Sequence, residues 1–253
     1  MGKSFLVTSG KGGTGKTTVA AGLSVCLAAL GRQVVCVDAD VGLRNLDLVL
    51  GLTDHTALDF QDVLTGTASL REALCPHPLV PGLFFLPAPV TVRGGRLEQA
   101  AFNEMIHVLQ DVCDYCFVDC AAGLSAGFSL VAASCDHALV ISALELPALR
   151  DAARTIEALE RHRSPKTWLV VNRLRPKTVD RPGGINVDDA MDLVGLPLLG
   201  LIPEDVAVMD AVAQGLPLPL LGRTGAGQAM HDMALRLEGH AAPVKPRRIQ
   251  ATY

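Results

Sequence analysis

The sequence predicts an α/β fold with a doubly wound, mostly parallel sheet of about seven or eight strands and helices on both faces. Short apolar runs alternate along the chain with stretches of helical periodicity, which is the pattern of strands joined by helices. The composition is 49% hydrophobic but only 4% aromatic, with 24 glycines, which suits strands buried beneath closely packed helices. Such sheets bind ligands at the carboxyl ends of their strands, so the residues that follow each strand are the functional candidates.

The elements follow from the apolar runs and their end signals. Strands are predicted at Ser4–Thr8, Gln33–Asp38, Leu83–Leu86, Tyr115–Asp119, His137–Ser142, Thr167–Val171 and Leu198–Ile202. The clearest helices are Lys16–Leu30 closed by Gly31, Leu97–Val112, Pro147–His162, and Ala226–Leu237 closed by Gly239. Residues 1–240 are therefore expected to form one domain, followed by a basic, proline-containing tail at 241–253.

Composition excludes several classes of protein. The net charge of −4 gives no reason to expect a nucleic-acid partner. No apolar run reaches the roughly 18 residues of a membrane span, and the odd count of seven cysteines fits a reducing cytoplasm. Cys113 and Cys116 have metal-ligand spacing, but no second pair completes a zinc site, so we expect them to pack as small apolar side chains.

A glycine-rich loop lies between the first predicted strand and the first predicted helix. It reads Gly10-Lys11-Gly12-Gly13-Thr14-Gly15-Lys16-Thr17-Thr18. Glycines allow successive backbone N–H groups to converge on phosphate oxygens, and the following helix presents its positive N-terminal end. Lys16 is expected to reach the β- and γ-phosphates and the Thr17 hydroxyl to ligate Mg²⁺. The residues from Gly12 to Thr18 therefore predict a triphosphate-binding loop of the P-loop NTPase type.

The same loop also satisfies the dinucleotide pattern G-x-G-x-x-G, with Asp38 roughly twenty residues further on. A Lys-Thr-Thr helix opening, however, would place a cation and metal-ligating hydroxyls against a pyrophosphate that needs neither. This chemistry favours a triphosphate over a nicotinamide or flavin dinucleotide.

Three aspartates follow predicted strands. Asp38 and Asp40 end the second strand one residue apart, where both can face the phosphate loop. We expect Asp40 to orient and polarise the attacking water and Asp38 to support it or bind a metal-bound water, the alternative being that they cap the following turn. Asp119 ends a later apolar strand and is expected to hold Mg²⁺ through water, so Thr17, Asp40 and Asp119 form the predicted magnesium site. Gly123 would let the next loop respond to loss of the γ-phosphate.

The loop from Lys11 to Thr18 resembles the deviant Walker A motif of the MinD/ParA family of P-loop ATPases, and residues 38–51 are similar to the members of that family that select the division site. The resemblance spans nearly the whole chain. It implies ATP and Mg²⁺ as ligands and an ATP-bound homodimer in which Lys11 touches the partner's nucleotide. It also implies adenine recognition by Asn172 and Arg173 after one strand and by Pro203, Glu204 and Asp205 after the next.

Further expectations come from the same resemblance. Arg44 and Asn45 would contact a regulator, and Asp151 would lie near the dimer interface. Partners would be a division inhibitor and an ATPase-activating protein, at an anionic membrane surface on the inner face of the cell membrane. The division-site members of the family normally end in an amphipathic helix, whereas this tail carries Pro243 and Pro246 among its basic residues, Lys245, Arg247 and Arg248. Two expectations stay open for the tail: it attracts anionic lipid, or it is simply solvated. Ala121 and Ser125 stand where the family usually has a proline and an acidic residue.

Two alternatives remain open at this point. One is a DNA-partition or flagellar-positioning ATPase, which the acidic net charge disfavours. The other is a metal-cluster carrier that uses Cys113 and Cys116 between two protomers.

Overall fold

The computed structural model of the chain describes residues 1–53, 58–162, 165–175, 184–221 and 224–244. Its strands are β1 (Lys3–Thr8), β2 (Val34–Ala39), β3 (Cys75–Pro76), β4 (Leu83–Leu86), β5 (Tyr115–Cys120), β6 (His137–Ser142), β7 (Lys166–Leu174) and β8 (Leu198–Pro203). The seven predicted strands are all present. The additional one, β3, is only two residues long and carries too little periodicity to be found in the sequence.

The helices alternate with these strands as predicted. They are α1 (Lys16–Ala29), α2 (Leu46–Leu50), α3 (Phe60–Leu64), α4 (Leu70–Ala73), α5 (Gln99–Val112), α6 (Ala126–Ala132), α7 (Leu146–Glu160), α8 (Val187–Val194), α9 (Ala207–Ala213) and α10 (Gly225–Leu237), with a 3₁₀ turn at Leu218–Leu221 before α10. Gly31 and Gly239 follow α1 and α10 with φ of +85° each, the left-handed conformation expected after a helix end.

The eight strands form one sheet in the order β3-β4-β2-β5-β1-β6-β7-β8. Every pairing is parallel except the short antiparallel contact between β3 and β4. β1 lies in the middle, between β5 and β6. The loop that follows β1 therefore emerges beside the loops that follow β5 and β6, at the carboxyl edge of the sheet.

Helices cover both faces of the sheet, which confirms the doubly wound prediction. The apolar faces of α1, α2, α9 and α10 belong to one buried cluster with Phe5, Phe85 and Phe117 of the sheet. On the opposite face, α3, α5, α6, α7 and α8 pack over Leu6, Val118 and Val140. No helix within the described residues is long and apolar enough to cross a membrane.

One boundary differs from prediction in a way that affects the candidate site. β7 was expected to end at Val171 but continues to Leu174, through Asn172 and Arg173. The register with β8 shifts between Val171 and Leu174, and Arg173 has a φ of +55°. This bulge explains why the apolar pattern stops before the strand does.

Candidate functional site

The glycine-rich loop joins the carboxyl end of β1 to the first turn of α1. Gly13 and Gly15 have φ of +76° and +91°, values that side-chain-bearing residues rarely adopt. Gly15 is the N-cap of α1, and Lys16 is the first helical residue, with its side chain 8% exposed. The helix thus begins at the loop, and its free N–H groups and positive end face the space that the loop encloses.

Neighbouring backbone holds this loop in place. The Ser9 hydroxyl donates to the Lys11 carbonyl at 2.8 Å, and the Gly123 N–H donates to the Ser9 carbonyl at 3.1 Å. A Cβ on Gly10 would lie 2.3 Å from the Asp151 backbone carbon, so α7 packs directly on the start of the loop. The loop after β5, predicted to respond to the γ-phosphate, is therefore bonded to the start of the phosphate loop.

Asp119 lies at the end of β5, beside the loop, and is only 2% exposed. Burial raises the pKa of its carboxyl group to about 7, although a hydrogen bond from the Thr17 hydroxyl and the charge of Lys16 both act to lower that pKa. Its Oδ1 has no hydrogen-bond partner among the described residues. The structure thus brings Thr17, Lys16 and Asp119 together, as predicted for a magnesium and phosphate site.

Asp38 and Asp40 have different surroundings, although they are only one residue apart. Asp38 is fully buried, and its carboxylate accepts the N–H groups of Asp40 at 2.9 Å and Leu46 at 3.2 Å. Burial raises the pKa of Asp38 to about 6. Burial also raises the pKa of Asp40, and the nearby charge of Lys16 lowers it. Asp38 therefore holds the turn after β2, as in the capping alternative, while the Asp40 carboxylate lies near Lys16.

The donor chemistry of this site fits a magnesium-bound polyphosphate. Besides Asp119 Oδ1, the Thr14 hydroxyl in the loop and the Thr8 hydroxyl just before it are buried without a partner among the described residues. Buried polar atoms are nearly always hydrogen-bonded, and exceptions call for a ligand or water. Magnesium is commonly held by one or two carboxylates together with water and phosphate oxygens, and the Thr17 hydroxyl and the Asp119 carboxylate lie together here as oxygen donors of that kind.

The residues predicted to contact adenine lie at the ends of β7 and β8. The Asn172 side-chain amide donates to the Thr14 carbonyl at 2.7 Å. Arg173 donates to Glu204 at 3.1 Å, and Asp205 accepts the N–H groups of Ala207 and Ala226 at 3.0 Å each. Pro203 is the last residue of β8. The structure places these residues beside the phosphate loop, and their role toward a base stays a prediction.

Lys11 is exposed at the outer side of the loop. It lines a cavity of about 180 Å³ together with Gly12, Gly13, Glu145, Arg173 and Arg175. Two of the cations that line this cavity, Arg173 and Arg175, pair with Glu204. The exposed ammonium group of Lys11 can meet a negatively charged group from outside the chain.

The other residues that the sequence analysis singled out make local contacts in the structure. Asp151 pairs with Arg154 at 3.5 Å on the surface of α7, and Arg44 lies 3.8 Å from Asp47. Asn45 is the N-cap residue of α2. Ser125, in place of the family's acidic residue, caps α6 by accepting the Phe128 N–H at 3.3 Å.

Cys113 and Cys116 are both buried in the apolar core, and burial raises the pKa of each thiol above its usual value. They pack as apolar residues between the sheet and α5, as the sequence predicted. Basic residues 245, 247 and 248 lie outside the described residues.

Three residues near the site were not identified from the sequence. The Ser9 hydroxyl donates a hydrogen bond to the Lys11 carbonyl of the loop, Arg175 donates to Glu204 at 2.9 Å, and Glu145 lines the cavity beside Lys11. Each directly follows or nearly follows a strand end, so a wider search of those positions would have found them. Their residue types alone carry no recognisable pattern.

Comparison with known proteins places this geometry in a family. Residues 5–218 match the model of the CobQ/CobB/MinD/ParA nucleotide binding domain. The septum site-determining protein MinD of Synechocystis sp. is 39% identical over 244 residues, which cover 96% of this chain and 92% of that protein.

Solved structures give the same result. A chain of the MinC:MinD cell division protein complex of Aquifex aeolicus superposes with a TM-score of 0.89 at 34% identity, covering 96% of this chain and 98% of that chain. The septum site-determining protein MinD of Pyrococcus horikoshii, complexed with Mg-ADP, has a TM-score of 0.82 at 30% identity, covering 94% and 96%.

Proposed function

Because the chain belongs to the CobQ/CobB/MinD/ParA family of nucleotide-binding domains, we propose that it is an ATPase of the septum site-determining MinD type that acts in placing the division site. The observation that carries this proposal is the convergence of Lys16, Thr17 and Asp119 at the carboxyl end of the central strands, with Asp119 Oδ1 buried and unpartnered among the described residues. Similarity to MinD proteins over nearly the full chain supports it.

Mg-ATP is the proposed substrate complex, by analogy with the Mg-ADP named for the Pyrococcus horikoshii protein. Lys16 and the loop N–H groups bind the phosphates, and the Thr17 hydroxyl and Asp119 hold the metal, Asp119 through water. When bound, Mg²⁺ neutralises charge that develops on the phosphate oxygens. The protein's own contribution is a fixed cradle that needs no rearrangement during the reaction.

Asp40 is proposed to orient the attacking water. Its carboxylate lies near Lys16, whereas Asp38 is occupied by the Asp40 and Leu46 N–H groups. Asp38 therefore acts by holding the backbone of Asp40 in position. Positioning of this kind is the main protein contribution in phosphoryl transfer, where little covalent chemistry is required of side chains.

ATP is proposed to join two copies of the chain. Lys11 is exposed, and the cavity that it lines with Arg173 and Arg175 has room for a charged group of a neighbouring copy. Hydrolysis removes the γ-phosphate and with it part of the charge that Lys11 would neutralise, so the dimer would separate afterwards.

Protein and membrane partners are proposed on the basis of the similarity to MinD proteins. The MinC:MinD complex of Aquifex aeolicus supports a division-inhibitor partner for this chain. We further propose slow intrinsic hydrolysis accelerated by an activating protein, and a peripheral association with anionic membrane on its inner face. The basic residues of the tail, each worth on the order of 1 kcal/mol near such a surface, favour that association.

The test uses the purified full chain under single-turnover conditions, so that slow hydrolysis is detected. ATP hydrolysis, the molar mass in ATP and in ADP, and sedimentation with anionic liposomes are measured for the wild type and Lys11→Ala. The proposal predicts Mg²⁺-dependent hydrolysis, and an ATP-dependent dimer and liposome sedimentation that Lys11→Ala loses. Absence of ATP binding and hydrolysis would contradict the ATPase, and salt-sensitive DNA retention with no liposome binding would favour a DNA-partition function instead.

A further inference from the structure

A phosphate-binding loop has a requirement that its sequence does not reveal. Its backbone N–H groups must converge on the ligand, so the carbonyl groups between them turn away from it. Each carbonyl turned toward protein needs its own hydrogen-bond donor, because an unpaired buried carbonyl is unfavourable. Donors behind the loop therefore decide how firmly its N–H groups are held in position.

The end of β7 supplies those donors. The Asn172 amide nitrogen donates to the Thr14 carbonyl at 2.7 Å, and an Arg173 guanidinium nitrogen donates to the Gly13 carbonyl at 3.4 Å. Asn172 is buried, at 8% exposed. A Cβ on Gly15 would lie 2.3 Å from the same Asn172 nitrogen, so the absence of a side chain at Gly15 allows the amide to approach. Close packing and a short hydrogen bond thus occur at one point.

The backbone of β7 is distorted where this contact is made. Consecutive residues of a regular strand point to opposite faces, yet both Asn172 and Arg173 donate to the loop. The left-handed φ of +55° at Arg173 and the register shift before Leu174 make this possible. Strained residues of this kind persist where surrounding contacts determine them, and they cluster at functional sites.

We propose that Asn172 is a positioning residue for the phosphate loop, which holds the Thr14 carbonyl outward and so keeps the loop N–H groups directed at a polyphosphate. This inference rests on the proposed nucleotide-binding function. It differs from the role in base recognition that the family resemblance implies, because it acts on the phosphates through the loop and does not depend on the base. Arg173 supports the neighbouring carbonyl more weakly, since its hydrogen bond is longer and its side chain is half exposed.

The test combines two measurements on Asn172→Ala and Asn172→Leu. Asn172→Leu keeps the size and branching of the side chain and adds no charge but has no donor, so it separates the hydrogen bond from packing. Hydrogen exchange of residues 10–17 is followed in the nucleotide-free chain, and affinities for Mg-ADP and for inorganic tripolyphosphate with Mg²⁺ are measured by competition with a fluorescent nucleotide. Asn103→Ala is the matched control, because the Asn103 amide oxygen accepts hydrogen bonds from Gln99 and Ser134 on the far side of the sheet from α1.

We expect faster exchange over residues 10–17 in both Asn172 variants but not in Asn103→Ala, and a loss of about tenfold in affinity for ADP and tripolyphosphate alike, as for one unsatisfied buried carbonyl. Unchanged exchange over residues 10–17 would overturn the inference, as would a loss confined to ADP, which would assign Asn172 to the base alone. Failure of the wild type to bind ADP would instead overturn the proposed function, and the exchange measurement would still decide the role of Asn172.

Discussion

The two ends of the same parallel sheet differ in how many of their buried polar groups have hydrogen-bond partners within the chain. At the amino end, the Tyr115 hydroxyl donates to Glu238 at 2.6 Å, and Glu238 also pairs with Arg32. Nearby, the Gln110 amide donates to the Ser4 hydroxyl at 3.1 Å. These contacts join the start of the sheet to the ends of α1, α5 and α10, and each polar group finds its partner within the chain.

At the carboxyl end of the sheet, Asp38 and Asn172 are also paired within the chain, but other buried polar groups are not. The Thr8 and Thr14 hydroxyls and Asp119 Oδ1 are buried there without a partner among the described residues. Two buried carboxyl groups, Asp38 and Asp119, have raised pKa values at this end, mainly because of desolvation. At the amino end the pKa of Glu238 is lowered instead, mainly by its hydrogen bond to Arg32.

The difference indicates which end was shaped for stability and which for binding. A protein pairs its buried polar groups when only folding matters, and it leaves them unpaired where a ligand completes them. His137 shows that the division is not absolute, since its Nδ1 is unpartnered at the amino end, where its ring stacks on Phe5 and Trp168. The predictions below therefore compare matched substitutions at the two ends.

The largest effect is expected for Lys16→Met. Removing the buried cation leaves the phosphate oxygens without their main charged partner, so ATP hydrolysis should fall by about 100- to 1,000-fold. Phosphate release under single-turnover conditions measures it. The matched control is Lys3→Met at the amino end, where Lys3 donates to the Leu237 carbonyl at 3.3 Å, and hydrolysis should stay within about twofold of wild type. Comparable losses in both variants would contradict the comparison.

The pH dependence of stability should differ between wild type and Asp119→Asn. The pKa of Asp119 is raised in the folded chain to about 7, from 3.8, so between these values the folded state binds more protons than the unfolded state, and the free energy of unfolding falls as pH rises. The full shift corresponds to at most about 4 kcal/mol.

Urea unfolding of the nucleotide-free chain between pH 4 and pH 8 tests this. In Asp119→Asn the free energy of unfolding should fall less steeply as pH rises, and the variant should be more stable than wild type above about pH 7. A smaller fall in the free energy of unfolding should remain in both proteins, because the pKa of Asp38 is also raised, to about 6. Identical pH profiles for wild type and variant would show that burial of Asp119 carries no cost.

Asp119→Asn should also weaken the effect of magnesium on nucleotide binding. An amide cannot hold a metal-bound water as a carboxylate does, so the gain in ADP affinity on adding Mg²⁺ should shrink by about 10- to 100-fold. Titration calorimetry with Mg²⁺ and with chelator measures it. Glu238→Gln at the amino end removes a carboxylate that pairs with Arg32, and it should leave the magnesium effect unchanged.

The smallest effect is expected for Tyr115→Phe. Loss of the hydroxyl removes the 2.6 Å bond to Glu238 and should lower the free energy of unfolding by about 1 kcal/mol, with ADP affinity unchanged. Denaturant unfolding and the same ADP titration check both parts. A change in ADP affinity would mean that the two ends of the sheet are coupled.

Sequence reasoning predicted the fold and the position of the glycine-rich loop because both depend on local patterns. Strand runs such as His137–Ser142 coincide with the structure at both ends, and Gly15 has the backbone conformation that its place in the loop requires. Asp119 was identified because it directly follows an apolar strand, and the structure places it against Thr17.

What the sequence could not reveal depends on contacts between distant segments. Nothing local distinguishes Asp38 from Asp40, and only folding shows that the Leu46 N–H occupies Asp38. The contact of Asn172 with Thr14 joins residues 158 positions apart. The bulge at Arg173 that allows it has no signal in hydrophobic periodicity, because polar side chains at a strand end resemble the start of a loop.

The most direct test of the central claim is proton release when Mg-ADP binds, measured near pH 6.5 by calorimetry in buffers of different ionisation enthalpy. Bound Mg²⁺ and its water should ionise Asp119, whose pKa is raised to about 7 in the free chain. Wild type should therefore release a substantial fraction of a proton that Asp119→Asn does not release. Equal proton release by the two proteins would contradict the assignment of Asp119 as the buried carboxyl group that ionises when Mg²⁺ binds.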